Sequence, residues 1–337
     1  MYNFAKLNDD ERRVIFENSA SKLKMNSAII EKDFWVCYVL DYLFHKCKYK
    51  NSFAFKGGTC LSKVYNIIER FSEDIDLILD WEVLGYKRNE PWEERSNEKQ
   101  NKFNKEAISR QNDFIKNELL PHLENELVGT LGNKSKVYID EIDPGTVKFA
   151  YPKTLYNDAI LQEIRLEIGA LAAWTPTTNS CIKPYIDECY PDLLQYKNIE
   201  VLATTDVRTF WEKATILHQE ANRPADSKMP QRYSRHYYDL YCMAKKGIDD
   251  KALKEVDLLT KVADFKEKFY PRKWAEYDKA RMGTLKLMPA AHSIDVLKRD
   301  YENMKAMIFG FYPSFDELME EIEKIEIKII KRKKIFN

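Results

Sequence analysis

The chain has 337 residues, 44% hydrophobic and 32% charged, with 54 lysines and arginines balanced by 54 aspartates and glutamates. That length buries a large core and usually divides into two domains, while zero net charge leaves a nucleic-acid partner only a local basic patch to meet. No N-terminal signal or 18-residue apolar run stands in the sequence, and its six cysteines form no Cys-x-x-Cys pair; the expectation is a cytoplasmic protein with reduced thiols and no membrane partner. Residues from about Asp9 to Lys46 read as helices, with Ile30, Phe34, Tyr38 and Tyr42 spaced for a buried face. Phe53-Ala54-Phe55 reads as a short apolar strand, and Gly57-Gly58 gives the unrestricted backbone of a sharp turn. From there Leu61, Val64, Tyr65, Ile68 and Phe71 recur at helical spacing, which puts the glycines at a helix N-terminus. Unpaired amides and the positive end of the helix dipole favour an anion at such a place. Thr59 is placed to cap the helix or touch a phosphate, Lys56 is a weaker phosphate candidate, and Lys63 reads as exposed.

The period then changes. In Ser72-Glu73-Asp74-Ile75-Asp76-Leu77, strand alternation points Asp74 and Asp76 to one face and Ile75, Leu77 and Leu79 to the other. Two carboxylates side by side repel unless a cation lies between them, and oxygen-only ligands suit Mg²⁺ or Mn²⁺, which also bind substrate phosphates. Ser72 is placed to stabilise the turn or touch a nucleotide, and Asp80 shares the carboxylate parity at the strand end. A charged stretch from Asn89 to Glu126 reads as helical and partly exposed. A hairpin follows, Val137 to Ile142 and Val147 to Tyr151, turning at Asp143-Pro144-Gly145. A further strand, Leu161 to Ile168, puts Glu163, Arg165 and Glu167 on one face, a surface charge ladder on the plainest reading. After about Thr175 come a Pro-containing loop and then mostly helices. In one, Val207, Phe210, Trp211, Ala214 and Leu217 form the buried stripe, from which Lys213 projects away as a solvated lysine would. In the next, Tyr233, Tyr237, Leu240, Tyr241 and Ala244 form the stripe. Arg235 and Asp239 then make an i,i+4 pair, worth about 0.3–0.5 kcal/mol if exposed. His218 reads as packed, and Lys331-Arg332-Lys333-Lys334 as a short basic tail. The organisation expected is an N-terminal helical segment (1–50), a central region (51–175, with the charged insertion at about 89–126) and a mainly helical C-terminal region (176–337).

Three runs together carry a family resemblance. Phe55-Lys56-Gly57-Gly58-Thr59 through Arg70-Phe71-Ser72-Glu73-Asp74-Ile75-Asp76-Leu77 resembles the first motif of the nucleotidyltransferase AbiEii toxin family, within the DNA polymerase beta-like nucleotidyltransferase superfamily. Arg208-Thr209-Phe210-Trp211-Glu212-Lys213-Ala214-Thr215-Ile216-Leu217-His218 and Arg235-His236-Tyr237-Tyr238-Asp239-Leu240-Tyr241 resemble its later motifs, in the same order and with similar wide spacing. The resemblance implies an α+β (α/β) fold: a polymerase beta-like core with a mixed sheet, plus a mainly helical C-terminal domain. It implies an NTP-dependent nucleotidyltransferase that releases pyrophosphate by a two-metal mechanism. Asp74, Asp76 and, as a third carboxylate, Glu167 would hold Mg²⁺ or Mn²⁺, although many relatives have aspartate at the last position. Gly57, Gly58 and Thr59, with Lys56, Ser72 and Lys213, would bind the nucleotide, and Asp239 would orient Lys213 or the acceptor hydroxyl. Arg235 and His236 are weaker contacts to phosphate or RNA. The implied context is a type IV toxin–antitoxin or phage-defence system, with tRNA as leading acceptor and a cognate antitoxin as a candidate partner. Two other readings stay open: nucleotidylation (AMPylation-type) of a protein, and a non-catalytic nucleotide-binding regulator. Intact Asp74 and Asp76 argue against the last.

Overall fold

The computed structural model describes residues 1–72, 74–157, 160–172, 176–194 and 198–332. Two compact units are present. The first comprises residues 1–64 and 72–204, and the second residues 65–71 and 205–337.

The first unit is built on a seven-stranded mixed sheet of order β3-β4-β5-β2-β1-β7-β6. In chain order the strands are β1 (Phe53–Lys56), β2 (Asp74–Leu79), β3 (Lys136–Ile139), β4 (Thr146–Ala150), β5 (Ile164–Gly169), β6 (Thr177–Ile182) and β7 (Ile199–Thr204). β1 runs antiparallel to β2, and β2 runs parallel to β5, with Phe55 opposite Leu77, Ile75 opposite Leu166 and Leu77 opposite Ile168. Residues directly opposite share a face, so these apolar side chains form one continuous buried surface. The Ser27–Asp41 helix supplies Phe34, Trp35 and Tyr38 to this core, and Trp35 meets Phe149 of β4 edge-on with ring centroids 6.1 Å apart. The N-terminal helices thus belong to the sheet unit. So do β6 and β7, which follow residue 175, and the second unit resumes at Thr205.

The charged insertion is helical over Asn97–Phe114 and continues through π-helical and α-helical turns to Leu131. Its Gln111 accepts a hydrogen bond from the Ala170 amide at 2.7 Å, pinning the end of β5. The hairpin forms as β3 and β4, and the strand expected from Leu161 begins at Ile164.

One expected element is much shorter than its periodicity suggested. The helix at the Gly-Gly turn spans only Gly57–Lys63. Asn66 adopts a left-handed conformation (φ 50°), and Arg70 forms an antiparallel bridge with Ile308. The apolar spacing at Ile68 and Phe71 therefore reflects burial in the second unit.

The second unit is mainly helical, with helices Asp206–Ala221, Ser234–Lys245, Val256–Phe269, Ile294–Met304 and Phe315–Arg332 among its described residues. Thr205 caps the first, accepting from the Arg208 amide at 3.3 Å. Lys333 and Lys334 of the basic tail lie outside the described residues. Among those described, no helix is long and apolar enough to cross a membrane. All six cysteines are free.

Candidate active site

In the sheet unit, the face opposite the apolar core is charged. Register places Lys56 opposite Asp76 and Asp76 opposite Glu167, while the next row sets Tyr138, Lys148, Arg165 and Asp74 side by side across four strands. Ile75 and Leu77 are fully buried and Asp74 and Asp76 half-buried, as strand alternation requires.

Gly57 shapes this face. Its φ is +81°, and a Cβ added there would lie 1.8 Å from Asp76 Oδ2. The Asp76 carboxylate thus occupies the space that glycine leaves open. Thr59 does not cap the helix; its hydroxyl donates to the Asp74 carbonyl and ties the turn to β2. Lys56 is the residue preceding the helix, where β1 ends, and Ser72 is half-buried just before β2. Asp80 accepts from the Glu82 amide at 3.0 Å and serves a local turn. Lys63 is not exposed: its ammonium pairs with buried Asp33 at 2.6 Å.

Glu167 is Asp76's neighbour across β5 and β2, yet the three carboxylates do not converge. Among the described residues no group of three or more His, Cys, Asp or Glu side chains is placed to hold a metal ion. Arg165 lies among them, 3.5 Å from Asp74 and 3.5 Å from Glu167. Lys148 meanwhile binds Asp140 at 2.9 Å and Glu163 at 3.2 Å, so the expected charge ladder exists and extends over three strands. The donors still suit a hard divalent cation. Asp74 and Asp76 are all-oxygen ligands on one face, and Mg²⁺ is commonly held by one or two carboxylates with water and substrate phosphates completing its shell.

In the helical unit the sequence pattern misplaces two residues. Lys213 and Asp239 are buried, and their side chains meet at 2.7 Å. Asp239 does not pair with Arg235, four residues back. Its partner is Arg70, whose Nε and Nη2 donate to the two carboxylate oxygens at 2.6 and 2.8 Å. Periodicity cannot see this bond, because it joins positions 169 apart. Arg70 is the functional candidate that the sequence pattern passes over. Burial raises the energy of the Asp239 charge, but Arg70 and Lys213 outweigh it and hold the carboxyl well below the usual range. Burial also lowers the Lys213 ammonium.

His236 Nδ1 lies 3.2 Å from Lys213 Nζ. An ammonium can only donate, so this nitrogen accepts and the imidazole proton sits on Nε2. Burial, then the Lys213 charge, push His236 well below its ordinary 6.5. His218, packed as expected, is likewise lowered, mainly by burial; its Nδ1 accepts from the Lys286 amide at 3.0 Å. Both imidazoles are neutral in the fold but protonate near pH 6.5 once unfolded. Stability is therefore present above that pH and falls as pH drops through it, by up to about 1.4 kcal/mol per pH unit per histidine. Urea unfolding at pH 7.5 and 5.5 checks this: the His236→Gln protein should show the shallower pH dependence, and equal slopes would refute it.

A glycine turn packed against an Asp-x-Asp strand of a mixed sheet, with a basic helix motif downstream, defines the class of nucleotidyltransferases. The sequence profile of the nucleotidyl transferase AbiEii toxin family, a type IV toxin–antitoxin (TA) system, matches residues 40–321, and the chain belongs to that family. It is thus a nucleotidyltransferase of the toxin class. Similar solved structures include the following two. JHP933 from Helicobacter pylori is 14% identical, with 91% of this chain and 93% of that chain covered and a TM-score of 0.40. MenT4, a nucleotidyltransferase toxin from Mycobacterium tuberculosis H37Rv, is 15% identical, with 96% and 99% covered and a TM-score of 0.42. No curated protein matches the chain.

Proposed function

We propose that this toxin transfers a nucleoside monophosphate from an NTP to the 3′ end of tRNA. The observation that carries the chemistry is the Asp74–Asp76 pair, with Asp76 seated against the open side of Gly57. Asp74 and Asp76 would hold a divalent cation, Mg²⁺ or Mn²⁺, with Glu167 as the adjoining carboxylate. Bound there, such an ion would supply Lewis-acid activation of the attacking hydroxyl and charge stabilisation for the departing pyrophosphate. Gly57, Gly58, Thr59, Lys56 and Ser72 line the turn that receives the nucleotide. Lys213, oriented by Asp239, binds phosphate oxygens as a compact positive charge.

The tRNA acceptor rests on the family resemblance, as do the cytoplasmic setting, a defence role against phage and a cognate antitoxin that restrains the toxin. The test incubates purified protein and Mg²⁺ with total tRNA and each α-labelled NTP in turn, beside the Asp74→Ala/Asp76→Ala protein. Label entering RNA with the intact protein alone is the expected result and reveals the preferred base. Label entering only added lysate protein would replace tRNA with a protein acceptor. No label in either would sink the transferase reading for these acceptors.

A further inference from the structure

Arg70, Asp239, Lys213 and His236 form one buried cluster within the helical unit. Side-chain exposure is 4% for Arg70, 0% for Asp239 and 9% for Lys213. Arg70 engages the carboxylate side-on, through Nε to Oδ1 and Nη2 to Oδ2, and Lys213 shares Oδ2. His236 accepts from Lys213 through Nδ1 and so carries no charge. The cluster therefore holds two positive charges against one negative.

Burying a charge without a partner is costly, and breaking such a cluster leaves one. The surplus positive charge accordingly marks a place for an anion. Valence points to where the anion would bind. Arg70 spends its fork on Asp239, with Nη1 directed to the Phe71 carbonyl at 3.3 Å. Lys213 has three N–H donors; among the described residues Asp239 and His236 take two, leaving one.

Arg70 is itself held by backbone. The Phe71 amide donates to the Met307 carbonyl at 2.8 Å, and the Phe309 amide to the Glu69 carbonyl at 3.0 Å, so an extended segment clamps it from both sides. A side chain fixed at both ends is suited to hold a neighbour in place.

We propose that Arg70 is a positioning residue for nucleotide binding: by occupying both oxygens of Asp239, it leaves Lys213 incompletely neutralised, so that the spare N–H of Lys213 takes a triphosphate oxygen. This rests on the proposed role of Lys213. Without Arg70, the whole carboxylate charge falls on Lys213 and the surplus vanishes.

The test compares wild type with Arg70→Met and Arg70→Lys. Thermal melts come first, so that assays run where each protein is folded. Arg70→Met should raise KM for the preferred NTP about tenfold or more, equivalent to about 1.4 kcal/mol, with a smaller change in kcat. Arg70→Lys restores the charge without the fork and should recover most of the KM. An unchanged KM in folded Arg70→Met, or no recovery in Arg70→Lys, overturns the proposal. Should Arg70→Met not fold, Arg70→Lys at wild-type KM supports the charge argument, and at the raised KM refutes it. Calorimetric binding of inorganic triphosphate to the same proteins separates the two readings. If wild type transfers no nucleotide yet binds triphosphate in an Arg70-dependent way, the transferase reading fails and the anion site stands. If wild type binds none, the anion site fails.

Discussion

Asp239→Asn is expected to cost about 3–5 kcal/mol of folding free energy, the usual consequence of removing one partner from a buried ion pair. The reason is specific to this cluster. Asparagine keeps the shape but removes the one negative charge that Arg70 and Lys213 contact among the described residues, leaving both cations buried. Net stabilities run at about 5–15 kcal/mol, so the variant would stand near the edge of folding. Arg235→Gln makes the contrast. If Asp239 were half of an exposed Arg235–Asp239 pair, both substitutions would cost less than about 1 kcal/mol. Urea denaturation of the two variants decides: a large loss for Asp239→Asn beside a small one for Arg235→Gln is the expected pattern, and equal small losses would contradict the buried cluster.

The second large effect falls on activity. Gly57→Ala adds one methyl group, yet it should reduce nucleotidyl transfer by about a hundredfold or more, the scale seen when catalytic groups are misplaced by about 1 Å. The added Cβ would stand 1.8 Å from Asp76 Oδ2, so the carboxylate must swing out of its place. Alanine must also adopt φ +81°, a strain of about 1–3 kcal/mol. A melting temperature lowered only modestly, with activity nearly abolished, is the expected outcome of paired melts and label-transfer assays. Retention of most activity would show that the Asp76 carboxylate does not need this exact seat. Gly58→Ala is the control for backbone freedom, since Gly58 does not share the positive φ.

Much of the sheet unit was legible because its information is local. Alternation in Asp74–Leu79 fixed which side chains face the core, and the same rule put Arg165 and Glu167 on one face. Legibility ended where meaning depended on a distant partner. Lys63, Lys213 and Asp239 each read as exposed polar residues, because a helical wheel records only neighbours within a few turns. Lys63 pairs with Asp33, 30 positions away, Asp239 with Arg70, 169 away, and Lys213 with Asp239 on a different helix. The apolar spacing from Leu61 to Phe71 failed differently: it recorded true burial at Ile68 and Phe71 in an extended segment whose period happened to match a helix. Family motifs singled out Lys213 and Asp239 where periodicity marked neither. Arg70 stood inside the first motif but was read only as part of its spelling.

The helical unit is discontinuous, drawing on residues 65–71 and on 205–337, with all of 72–204 synthesised between. A ribosome therefore releases Arg70 long before Asp239 exists, and the backbone clamp on Arg70 waits for Met307 and Phe309. Domains generally fold as units. A chain arrested before that point carries the Asp74–Asp76 strand and the four cluster residues but lacks the backbone bonds that flank Arg70. A fragment beginning at Thr205 lacks Arg70, and with it the guanidinium that engages both oxygens of Asp239.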